Sequence, residues 1–113
     1  MREPTEEQIK EFWEKFGWHK TGKWWISQTL HKQRNRLTVN FPNLIKYAVP
    51  IIIATIATEL EIHFDYLPQY DKWNCQLGDG FYDRSESKYN LAVATGDTLV
   101  LSLFWAIDKI REA

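Results

Sequence analysis

Cysteine is nearly absent: Cys75 is the only one in the chain. No intramolecular disulfide is therefore available, and stability must come from a core. That usage fits a reducing compartment, and a cytoplasmic setting is expected. Long apolar runs are also missing. The longest, Ala48 to Ala57, is ten residues and already contains Pro50 and Thr55. A spanning helix needs about 20 residues, so this run reads as core, and no membrane association is expected. The start, Met1 to Gln8, is polar and acidic. It lacks the basic-then-apolar order of a secretory leader, and none is expected.

Catalytic and metal-binding signatures are equally scarce. His19, His31 and His63 are widely spaced, with no H-E-x-x-H and no paired cysteines, so no metal site is expected. There is no G-x-S-x-G, no P-loop and no G-x-G-x-x-G; Gly78-Asp79-Gly80 reads as a turn. A Cys75–His63 nucleophile pair fails on strand parity. Cys75 alternates with Trp73 and Leu77, whereas His63 lies on the opposite side from Phe64. Neither a catalytic constellation nor a cofactor site emerges, and the expectation is a non-enzymatic chain with no cofactor.

What is present suits one domain over residues 1–113. The apolar fraction of 44% and charged fraction of 26% are ordinary for a globular fold. Aromatics reach 15% and include six tryptophans, which suggests a surplus beyond the core. Net charge is −1 but uneven. From Lys15 to Lys46 there are seven basic residues (Lys15, Lys20, Lys23, Lys32, Arg34, Arg36, Lys46) and no acidic ones. From Glu59 to Asp97 there are eight acidic residues against three basic. Such runs form solvated faces or, more sharply, a patch for an anionic partner.

Periodicity supplies the elements. Thr5 and Gln8 have capping-box spacing ahead of a helical stripe, Ile9, Phe12, Trp13 and Phe16, closed by Gly17. Trp24 to Leu30 and Leu37 to Phe41 alternate as two strands around a polar loop, His31 to Arg36. Adjacent Trp24 and Trp25 must face opposite ways. Residues 43–57 read as a helix capped by Asn43 and kinked or restarted at Pro50. Leu60, Ile62, Phe64 and Tyr66 alternate with Glu59, Glu61, His63 and Asp65. Trp73, Cys75 and Leu77 return as their partner strand, with a further strand over 81–85. Asp97 is expected to cap a final helix over 97–111, with Lys109 and Arg111 at its negative end. The result is an α+β, helix-hairpin-helix-hairpin-helix order around a mainly antiparallel sheet of four to five strands. Its core includes Phe12, Trp13, Ile26, Val39, Phe64, Leu103, Phe104 and Ile107.

Two segments are distinctive, Phe41-Pro42-Asn43-Leu44-Ile45-Lys46-Tyr47-Ala48-Val49-Pro50 and Thr98-Leu99-Val100-Leu101-Ser102-Leu103-Phe104-Trp105-Ala106-Ile107. With Phe12-Trp13 and Gly17-Trp18, the chain resembles small cyanobacterial proteins related to the phage "ABA sandwich" domain. That resemblance implies a three-layer α/β/α-type sandwich and a phage or mobile-element origin. It carries no catalytic residue.

The functional expectation is an intracellular binding protein acting on a protein partner or through self-association. Trp105, off the buried stripe of its helix, and one of Trp24 and Trp25 are the candidate contact residues. The alternative is nucleotide or nucleic-acid binding, with Lys32, Arg34 and Arg36 of loop 31–36 on phosphates and a neighbouring tryptophan stacked on a base. The row Glu59, Glu61, His63 and Asp65 reads as a solvated sheet face whose one sharper use is acid–base chemistry or a divalent ion.

Overall fold

Residues 3–57 and 59–110 are described by a computed structural model; Arg111 lies outside them. Helix α1 spans Glu6–Lys15, and its capping box forms as expected. The Thr5 hydroxyl accepts from the Gln8 amide (3.2 Å), and the Gln8 side chain accepts from the Thr5 amide (2.9 Å). Phe12, Trp13 and Phe16 bury one face, and Gly17 turns the chain with φ of 82°.

That turn leads straight into a strand. β1 (Trp18–Thr21), β2 (Trp24–Ser27) and β3 (Lys32–Arg34) form an antiparallel sheet in that order. The expected hairpin is therefore misplaced: the strand before Trp24 was missed, and the supposed loop 31–36 is partly β3. Turn chemistry explains the shift. Gly22-Lys23 connects β1 to β2, with Gly22 at φ 62°. The Ser27 hydroxyl accepts from the Leu30 amide (3.2 Å) and ends β2 three residues early. Thr38 is engaged by Asn40 and Asn43 side chains, so residues 37–41 form no strand.

Asn40, not Asn43, caps the next helical stretch, its carboxamide accepting from the Asn43 amide at 2.8 Å. The stretch begins as α2 (Phe41–Asn43), widens to a π-helix over Leu44–Ala48 and resumes as α3 (Val49–Thr55). Pro50 has no N–H to give the carbonyl four residues back. The wide turn just before it, with Val49 N–H bonded to the Leu44 carbonyl, absorbs that missing bond. The anticipated break at Pro50 thus takes the form of a π-bulge.

The second sheet joins β4 (Leu60–Leu67), β5 (Lys72–Asp79) and β6 (Asn90–Gly96). Phe64 pairs with Cys75 and Ile62 with Leu77, as alternation requires, and Cys75 in turn pairs with Ala94. The expected strand over 81–85 is instead turns, and the third strand starts at Asn90. α4 (Leu99–Ile110) is capped by Thr98, whose hydroxyl accepts from the Leu101 amide at 3.2 Å. Asp97, one residue earlier, pairs with Lys72 instead.

Two three-stranded sheets thus replace the single sheet of four to five strands. The general α+β class holds. The helices link the sheets through aromatic contacts. Phe12 stacks on Phe104 (4.6 Å), Trp13 meets Trp18 edge-on (6.3 Å), and Trp18 meets Tyr47 (5.7 Å). The Trp18 indole N–H also donates to the Tyr47 carbonyl at 3.0 Å. Of the expected core, Phe12, Trp13, Leu103, Phe104 and Ile107 are fully buried, while Val39 and Phe64 pack half-buried against them. Ile26 does not join: it lies on the opposite face of β2 from buried Trp25 and Ser27.

Candidate functional site

Register sorts the side chains of the first sheet. His19 pairs with Ile26 and Ile26 with Gln33, while Thr21 pairs with Trp24. Cross-strand partners share a face, so these five residues form the outer face. Trp18, Lys20, Trp25, Ser27, Lys32 and Arg34 form the inner one. Trp24 is 37% exposed and Trp25 only 7%. The two tryptophans do separate as parity demands, with Trp24 on the open side.

The cations are arranged around rings. Lys23 lies over Trp24 (5.8 Å) and Lys20 over Trp25 (5.9 Å). Lys32 (5.8 Å) and Arg34 (5.2 Å) both approach the Tyr47 ring. Lys32 and Arg34 are thus held on the inner face, away from Trp24, and the structure does not bring them together with an exposed tryptophan. Arg36 is exposed beyond the end of β3. Lys20 and Tyr47 were missed as participants. Strand parity would have found Lys20 once β1 was recognised, but nothing in the sequence pairs Tyr47 with β3.

Trp105 is half-buried, edge-on to Phe104 at 4.8 Å and packed against the core. The helix around it is buried on nearly every side, so Trp105 is as much packing as surface.

The outer face of the second sheet gathers a different set. Glu61, His63 and Asp65 project together, paired across the sheet with Gly78, Gln76 and Asn74. Glu59 precedes the strand, its carbonyl accepting from the Gly80 amide at 2.8 Å, and its side chain lies beside that of Glu61 over Gly80. Arg84 reaches over from the connection between β5 and β6, its guanidinium 3.1 Å from His63 Nε2 and 3.9 Å from Glu61. Gln76 Nε2 donates to Asn90 Oδ1 at 2.8 Å. Tyr89 packs over Gly78, where an added Cβ would meet its ring at 2.3 Å. Sequence reading missed Arg84, Tyr89 and Gln76, which are distant in the chain and converge only through the β4–β5–β6 register. Among the described residues no group of three His, Cys, Asp or Glu side chains is placed to hold a metal ion.

Cys75 is fully buried on the opposite face from His63, and burial pushes its thiol up to about 12. Such a thiol holds its proton and is a poor nucleophile. Among the described residues no helix is long and apolar enough to cross a membrane. No family model, curated protein or solved structure matches the chain.

Proposed function

We propose that this chain is a non-enzymatic binding protein whose working surface is the outer face of the first sheet, and that its partner is an acidic protein surface. The observation that carries this reading is Trp24, a large aromatic 37% exposed on a sheet face shared with Ile26 and bordered by Lys23. An amphipathic ring beside a cation is the usual anchor of a protein interface. The surrounding segment, Lys15 to Lys46, has no acidic residue to repel an acidic partner.

Nucleotide or nucleic-acid binding is the weaker reading. Lys32 and Arg34 face Tyr47 rather than Trp24, so phosphate contacts and base stacking would fall on opposite faces. Resemblance to the phage-related proteins is the support for an origin in a phage or mobile element and for a three-layer α/β/α stacking, while the single cysteine supports a partner met in the cytoplasm.

The test is capture from a host lysate by the immobilised chain, compared with Trp24→Ser and Lys23→Glu, with the bound fraction analysed for both protein and nucleotide. An acidic protein retained by the wild type and lost by both variants is the expected outcome. Nucleic acid eluting steeply as salt rises would replace it with the alternative. Light scattering separates a second copy of the chain from a different partner.

A further inference from the structure

A hollow of about 450 Å³ lies along β4 at the outer face of the second sheet, where His63, Asp65, Gln76, Arg84 and Tyr89 line it; Ile62 and Phe64, whose side chains belong to the opposite face, border it through the strand. Its wall is built rather than loose. The buried Asp79 carboxylate accepts from the Phe81 amide (3.0 Å), and Tyr82 and Tyr89 amides close turns onto the Asp79 and Glu86 carbonyls (3.0 and 3.1 Å). We propose that this hollow binds a small zwitterion of the α-amino-acid class, its carboxylate held by Arg84 and its ammonium by Asp65. The site is independent of the first sheet and of the function proposed for it.

The charges argue for a ligand bearing both signs. Arg84 offers a planar fork of donors that suits a carboxylate. A guanidinium is always charged and can only donate, so the 3.1 Å contact with His63 Nε2 engages one N–H of Arg84 and leaves the rest of its fork. Arg84 is thus the cation of the hollow. Glu61, 3.9 Å away, already tempers it, which disfavours a multiply charged anion such as phosphate. Asp65 is exposed and takes no part in an ion pair among the described residues. It stands two residues from His63, a strand repeat of about 7 Å. Arg84, in contact with His63, and Asp65, its neighbour on the same face, thus put a donor fork and a carboxylate on one hollow, which suits a small molecule carrying both signs.

The hydrogen-bonding set is also incomplete. The Tyr89 hydroxyl is buried with no partner, an arrangement that costs free energy unless something supplies an acceptor or donor. The volume falls within the range of small-ligand sites and leaves room for an amino-acid side chain beside Tyr89.

The test is an NMR titration of the isotope-labelled chain with the standard amino acids, each at millimolar concentration, and with acetate, ethylammonium and inorganic phosphate as controls. At least one amino acid should give saturating shifts at His63, Asp65 and Gln76, with each control about tenfold weaker or more. Arg84→Gln and Asp65→Asn should each weaken binding by a similar factor, and Arg84→Lys, which keeps the charge but not the fork, should fall between. Both side chains are exposed, and spectral dispersion reports that the variants remain folded. Trp24→Ser should bind as the wild type does. Absence of saturation by every amino acid, acetate or phosphate binding as tightly, or unchanged affinity in the Arg84 and Asp65 variants would each overturn the proposal.

Discussion

Gly96 is where the last strand meets the last helix, and replacing it with Ala tests the packing there most directly. A Cβ built at this position lies 2.4 Å from the Ser102 amide nitrogen, 2.7 Å from the Leu101 carbonyl carbon and 2.9 Å from Leu101 Cβ. The first two are backbone atoms of α4, so no rotamer change relieves them. Strand β6 or helix α4 must move, and both are tied into the core by Ala94, Leu103 and Phe104. Overpacking a filled site costs about 1–3 kcal/mol, and a forced backbone shift places this case at about 3. For a chain of this size that is a fall in melting temperature of roughly 10 °C or more. Gly22→Ala is the control. Gly22 sits at φ 62° with nothing within 4 Å of a new Cβ, so its cost is conformational alone, about 1 kcal/mol. Urea unfolding followed by tryptophan fluorescence reads both, with an unchanged slope confirming that only stability moved. Adding Leu101→Ala should not rescue Gly96→Ala, because the amide contact remains. If Gly96→Ala costs no more than Gly22→Ala, the close approach of β6 to α4 is wrong.

Phe104→Ala removes a fully buried ring stacked on Phe12 and should cost about 3–5 kcal/mol by urea unfolding, a loss below about 1 excluding it from the core. Gly78→Ala drives a Cβ into the Tyr89 ring, so Tyr89→Ala in the same chain should recover part of the stability lost by Gly78→Ala alone, a non-additivity measured by a double-mutant cycle. The Cys75 thiol, raised to about 12 by burial, should resist a disulfide reagent at pH 8 in the folded chain and react promptly in urea. The Asp97 carboxyl, held below its ordinary value chiefly by the Lys72 hydrogen bond, should titrate at lower pH than a free aspartate and return toward it in Lys72→Met. Because the folded value is depressed, this pair stabilises above the unfolded carboxyl's range and the contribution disappears as pH falls through the folded value, which a pH series of melting curves on the two forms detects.

Sequence reading succeeded where one local rule acts without competition. The capping box at Thr5, the stripe through Phe12, Trp13 and Phe16, and the placing of Cys75 on the opposite face from His63 all follow from spacing alone. It failed where a short-range hydrogen bond overrides alternation. Trp24 to Leu30 alternates well, yet the Ser27 hydroxyl turns the chain at Leu30, and a side-chain acceptor of that kind leaves no periodic trace. β6 was missed for the opposite reason: Leu91 to Ala94 is a run of small and aliphatic residues with no alternation to read. The candidate surfaces were half visible. Parity alone separates Trp24 from Trp25, but Arg84 and Tyr89 reach the His63 row only through the placement of the third strand.

The tryptophan surplus has a structural explanation that the count alone concealed. Trp13 and Trp18 are fully buried, Trp25 nearly so, and Trp73 and Trp105 are half-buried, which leaves Trp24 as the most exposed of the six. Two three-stranded sheets that do not pair with each other need something between them, and three-residue and four-residue strands bury little area on their own. Rings solve this because each covers a large area with few torsions to fix. The chain Tyr47–Trp18–Trp13–Phe12–Phe104–Trp105 runs from the π-helical turn through the first sheet and α1 to α4, with centroid separations between 4.6 and 6.3 Å at every step. Trp18 also ties β1 to the turn that Pro50 disrupts, through its indole bond to the Tyr47 carbonyl. A high aromatic content is then a requirement of joining two small sheets, and the inference from many tryptophans to a broad binding surface narrows to the single ring of Trp24.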